Sequence, residues 1–121
     1  MKNLDKIDHN IVLALDKLIQ PFFNSEHTKV YIRPDFRSNE TGAEHIANSK
    51  HGLKTKDISC IPQIIKSPLT IIKDKRKGKS YFGNRVCGLK KAKYLKIVTQ
   101  IRPDATEQIV TIFIVKAIKR K

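Results

Sequence analysis

The sequence predicts an α+β fold with N-terminal helices packed on a roughly four-stranded antiparallel β-sheet. Two observations carry that expectation. Apolar residues recur at helical spacing near the start of the chain, and β-rich runs separated by turn signals occupy residues 69–115. The two kinds of element come in sequence, helices first and then a meander, which places the helices together on one face of the sheet.

Leu4, Ile7, Ile11, Leu15, Leu18 and Ile19 stand three and four residues apart, with Asp5, Asp8, Asp16 and Lys17 between them. That is an amphipathic helix, stopped by Pro21. Lys29 to Arg33 reads as a short strand ended by Pro34, and Phe36 to Glu40 as a loop. Thr41 is positioned as the N-cap of a helix running to about His51, with Glu44 completing a capping box and Gly52 as the stop. Asp57 to Lys66 carries Ile58, Ile61, Ile64 and Ile65, a second short helix kinked at Pro62. Four strands follow, at Leu69–Asp74, Ser80–Phe82, Tyr94–Ile101 and Gln108–Val115. Lys77-Gly78-Lys79 and Arg102–Ala105 read as hairpin connections.

A length of 121 residues suits one domain over 1–121, with a helix and strand in 1–40 and the remaining core in 41–121. The net charge is +14 and the pI near 10.0. Residues 1–49 hold six Lys/Arg against seven Asp/Glu, whereas residues 50–121 hold nineteen against four. A solvated face normally mixes both signs, so this one-sided excess points to a polyanion, nucleic acid first. No basic amphipathic helix and no run of about 18 apolar residues argues for a membrane. Cys60 and Cys87 lack CxxC spacing and read as free, buried thiols in a reducing compartment. The opening Met-Lys-Asn-Leu-Asp-Lys has no secretory pattern, so the expected site of action is cytoplasmic, for a free protein or for a domain of a larger delivered one.

Between Lys73 and Lys96 there are ten Lys/Arg and one acid, with Tyr81, Phe82 and Tyr94 interleaved. Cations for phosphates and aromatic faces for unstacked bases suit single-stranded RNA. Candidate binding residues are Lys75, Arg76, Lys77, Lys79, Arg85, Lys90, Lys91, Lys93 and Tyr94. Lysines also protect sheet edges from aggregation, though ten exceed that need. His45, Lys50 and His51 lie within seven residues. Metal-free RNA cleavage requires a base, an acid and a cation on the phosphate, roles these three can fill. Thr111 in the last strand, and Tyr81 or Tyr94, can donate a hydrogen bond to phosphate. Against this, a lone histidine is more often a hydrogen-bonded surface residue, and threonine in a strand follows from β-propensity alone. Zinc would need more closely spaced ligands than His45, His51, Cys60 and Cys87 offer, there is no Walker loop, and no cofactor is expected.

The His45-Ile46 … Lys50-His51-Gly52 motif, the Ile61-Pro-Gln-Ile-Ile-Lys-Ser-Pro68 segment and the Ile109-Val-Thr-Ile-Phe113 strand resemble the barnase–EndoU–colicin–RelE (BECR) superfamily of ribonucleases, in its phage- and mobile-element-associated branch. The resemblance runs from about His45 to Val115 and implies a nuclease-like core with its active site on an exposed sheet face. It implies a metal-independent endoribonuclease that uses 2′-hydroxyl attack and leaves a cyclic phosphate. His45, His51 and Thr111 would lead the catalytic set, with Lys50 and Tyr81 next. It implies RNA, transfer RNA included, as substrate, and an antitoxin or immunity protein as partner. A non-catalytic RNA- or DNA-binding module is the alternative that the basic segment alone supports.

Overall fold

The computed structural model describes residues 9–18, 22–37, 40–47, 53–74, 78–89 and 92–118, by backbone alone at 35–37, 40, 74, 86–89 and 92–93. Its elements in chain order are α1 (His9–Asp16), β1 (Phe22–Phe23), β2 (Lys29–Ile32), β3 (Asp35–Arg37), β4 (Glu40–Thr41), α2 (Gly42–Ala47), α3 (Thr55–Ser59), α4 (Ile61–Lys66), β5 (Thr70–Asp74), β6 (Gly78–Leu89), β7 (Ala92–Ile101) and β8 (Glu107–Val115). The class is α+β, as the sequence predicts.

The sheet differs from the expected one. It has six strands in the order β1-β2-β8-β7-β6-β5, and it is mixed. β5 to β8 form the antiparallel meander, but β2 joins β8 in parallel, Val30 opposite Glu107 and Ile32 opposite Ile109. A four-residue strand carries no local record of its partner, because pairing direction is decided by where intervening helices return the chain. Of the span 36–40, read as a loop, Phe36, Arg37 and Glu40 instead belong to the small β3–β4 ladder, and β6 runs well beyond the three residues expected of it.

Local chemistry explains the helices. The Thr41 backbone N–H donates to Glu44 Oε1 at 3.0 Å, and the Glu44 N–H donates to Thr41 Oγ1 at 3.0 Å, the reciprocal pair that starts α2. α3 begins where the Lys54 N–H donates to Asp57 Oδ2 at 2.8 Å. Pro62 sits in the first turn of α4, where its missing N–H costs nothing. The expected positions Leu4, Ile7, Ile19 and Gly52 lie outside the described residues.

One apolar cluster unites these elements. Ile11 and Leu15 of α1, Ile46 of α2, Ile58, Ile61, Ile64 and Ile65 of α3 and α4, and Tyr81, Leu95, Ile97, Ile109 and Ile112 of the sheet all belong to it. Each fully buried Leu or Ile contributes about 1.5–3 kcal/mol relative to exposure. α4 lies so close to β6 that a Cβ on Gly83 would stand 2.8 Å from Ile64 Cδ1. Cys60 is buried as a free thiol, its Sγ 3.3 Å from the Lys56 carbonyl.

Along β7 the burial alternates strictly. Leu95, Ile97 and Thr99 are buried, whereas Tyr94, Lys96 and Val98 are half-exposed. Period two therefore gives the sheet an inward face under the helices and an outward face on which no described helix packs. A bulge leaves Val110 unpaired between Ile109 and Thr111, so Ile109 and Ile112 both point inward while Thr111 points outward beside Val98.

Candidate nucleic-acid interface

The outward face is organised in rows set by strand register. Thr70, Phe82, Lys96 and Phe113 form one row across β5, β6, β7 and β8. Asn84, Tyr94 and Val115 form the next row, and Ile72, Ser80, Val98 and Thr111 the row on the other side. Lys96 Nζ lies 6.0 Å from the Phe82 ring centroid and 5.6 Å from that of Phe113, a cation held over two aromatic faces. Further along, Lys29 Nζ lies 5.8 Å from the Tyr31 ring, whose hydroxyl accepts from Gln108 Nε2 at 3.0 Å. Phe82 is almost fully buried, but Tyr94, Lys96, Phe113 and Val115 are half-exposed. A hollow of about 410 Å³ opens on this face, lined by Phe82, Lys96, Val115, Lys116 and Ala117.

The inward face ends in a buried polar cluster centred on Glu107, which is 1% exposed. Its Oε1 accepts from the Tyr81 hydroxyl at 2.7 Å and from Thr99 Oγ1 at 2.9 Å. Its Oε2 accepts from Lys79 Nζ at 2.9 Å and from Asn24 Nδ2 at 3.4 Å. Asn24 Nδ2 also donates to the Tyr81 hydroxyl at 3.1 Å, while Asn24 Oδ1 accepts from the Glu26 and Thr28 N–H groups and so fastens the β1–β2 turn. Burial, with the Glu107 carboxylate adding to it, pushes the Tyr81 phenol well above its ordinary range; the Asn24 hydrogen bond acts in the opposite direction. Among the described residues no buried side-chain nitrogen or oxygen lacks a partner. Each Glu107 carboxylate oxygen already accepts two hydrogen bonds, which makes the cluster an anchor for the sheet end rather than a receptor.

Several expected site residues change role accordingly. Tyr81 was expected to meet phosphate or a base, but it is 0% exposed and points inward, because the β6 register puts it opposite Ile97. Lys79 was expected to bind nucleic acid, yet its ammonium is paired with buried Glu107. Arg85 was another such candidate. Its Nε and Nη2 instead meet Asp57 Oδ1 and Oδ2 at 2.9 and 2.8 Å, a bidentate pair that joins β6 to α3. Tyr94 and Thr111 do lie on the outward face. His45 is half-buried on α2, whose Ala43 and Ile46 pack into the core on the opposite side of the sheet, so the fold separates it from Thr111. Lys50, His51, Lys75, Arg76, Lys77, Lys90 and Lys91 lie outside the described residues, and Lys93 is described by backbone alone.

Sequence reasoning did not single out Lys96, Phe113 and Lys116 on the outward face, nor Asn24, Thr99 and Glu107 on the inward one. A signal existed for both groups. Strict alternation through β7 separates Tyr94 and Lys96 from Leu95 and Ile97, and in β8 it puts Glu107 on the same side as Ile109.

Among the described residues no group of three or more His, Cys, Asp or Glu gathers as a metal site, and no helix is long and apolar enough to cross a membrane. Comparison with protein-family models, curated proteins and solved structures finds no match. The functional reading therefore rests on the chain's own geometry.

Proposed function

We propose that the protein binds single-stranded nucleic acid, RNA foremost, on the outward face of the sheet. The observation that carries this is Lys96 held between Phe82 and Phe113 on a face that the helices leave uncovered. A groove that tracks a strand needs cations for phosphates and rings for bases, and Lys96 with the half-exposed Phe113 and Tyr94 supplies both. The net charge of +14 supplies the long-range attraction. A duplex hides its base faces, so the same row favours the single strand.

Cleavage by 2′-hydroxyl attack, the activity expected from the BECR resemblance, would draw on His45, Lys50 and His51, with Thr111 as a further donor to phosphate. Lys50 and His51 lie outside the described residues, whereas the cation and rings of the outward face support binding directly, so binding is the reading proposed and cleavage is its alternative. The test is fluorescence anisotropy with a labelled single-stranded RNA in excess EDTA, followed by electrophoresis of the same samples. We expect binding that weakens steeply with salt, intact RNA, and a loss of about 1–3 kcal/mol in Phe113→Ala. Binding that ignores Phe113→Ala would remove the outward face from the interaction. Fragments absent with His45→Ala would restore the nuclease.

A further inference from the structure

The hollow beside Lys116 lies in the half of the outward face where the aromatic side chains concentrate. Phe82 and Phe113 occupy one row and Tyr94 and Val115 the next, toward the β6–β7 hairpin. Among its described lining residues Phe82, Val115 and Ala117 are the apolar floor, Lys96 and Lys116 are the cationic rim, and none is acidic. Ala117 and Lys116 are exposed, so the hollow opens to solvent. At about 410 Å³ it is within the range of sites that take a small organic ligand.

We infer that this hollow is a subsite for one nucleotide of a bound single strand, its base against Val115 and Ala117 and its phosphate between Lys96 and Lys116. The inference rests on the proposed binding to the outward face and deepens it by fixing where the strand is gripped. An apolar floor alone would suit any greasy group, and lysines alone would suit any anion. A planar, weakly polar ring joined to a phosphate satisfies both at once. An acidic peptide satisfies only the rim.

The experiment measures the affinity of a fluorescein-labelled single-stranded decauridylate at several salt concentrations for four proteins. They are the wild type, Ala117→Trp, which fills the hollow, Lys116→Gln, which removes one rim cation, and Lys66→Gln. Lys66 is an exposed residue of α4 on the helix side, so its substitution removes the same charge elsewhere. We expect Ala117→Trp to weaken binding by about tenfold, the loss of one stacked base. We expect Lys116→Gln to lower the salt slope by about one unit, and Lys66→Gln to match the wild type. If the wild type binds and both Ala117→Trp and Lys116→Gln bind as well as it does, the subsite is wrong while the outward-face reading stands. If the wild type does not bind decauridylate even at low salt, both fall. Equal displacement of the RNA by a polyglutamate peptide would overturn the subsite as a nucleotide site. Thermal melting of each variant checks folding, and Lys116→Gln decides the matter should Ala117→Trp not fold.

Discussion

Replacing Glu107 by Gln keeps the side-chain shape and removes one charge from the middle of a buried cluster. The Lys79 ammonium, 2.9 Å away with its side chain 10% exposed, then keeps, as a charged partner among the described residues, Glu26 at 3.7 Å, and that carboxylate is largely in water. At an effective dielectric of about 20, the Lys79–Glu107 attraction is roughly 6 kcal/mol. Most of it is offset by desolvation of the two ions, so the pair itself contributes little net stability. Removing one partner is different, because the other stays buried. That costs about 3–5 kcal/mol, against a total of about 5–15 kcal/mol for an ordinary domain. Urea unfolding followed by circular dichroism should show the midpoint falling by about 2 M for a slope near 2 kcal/mol per molar. Lys79→Met combined with Glu107→Gln should recover at least half of the loss, since no stranded ammonium remains. A Glu107→Gln protein within about 0.5 kcal/mol of wild type, or a double variant no better than the single one, would refute the reasoning.

Arg85→Met leaves the Asp57 carboxylate, 0% exposed, without its bidentate partner; the expected loss is about 3–5 kcal/mol, read by the same unfolding assay. Gly83→Ala drives a methyl into Ile64 and should cost about 1–3 kcal/mol, with Gly83→Ala/Ile64→Val recovering part of it in thermal melts. The raised phenol of Tyr81 makes stability depend on alkaline pH. Its folded-state pKa lies above the unfolded value of about 10, so above that pH the unfolded chain has lost a proton that the folded chain keeps. Stability should therefore fall as pH rises past about 10, and Tyr81→Phe should flatten that fall. An identical slope in the two proteins would show that Tyr81 does not contribute.

Periodicity and capping made much of this fold legible. The three- and four-residue spacing around Ile11 and Leu15, the Thr41–Glu44 reciprocal cap and the alternation through Tyr94–Ile101 are local patterns, and local patterns survive in a linear sequence. So does the charge excess after residue 50, which by itself predicts a polyanion partner. What tertiary structure decided is partnership across distance. It decided that β2 lies parallel to β8, that Lys79 and Arg85 are bound to Glu107 and Asp57, and that Tyr81 faces the core. It also put His45 and Thr111 on opposite sides of a sheet. A lysine in a sequence is a cation wherever it stands; whether phosphate can reach it depends on which carboxylate, from a strand 28 residues later, the fold has already set against it.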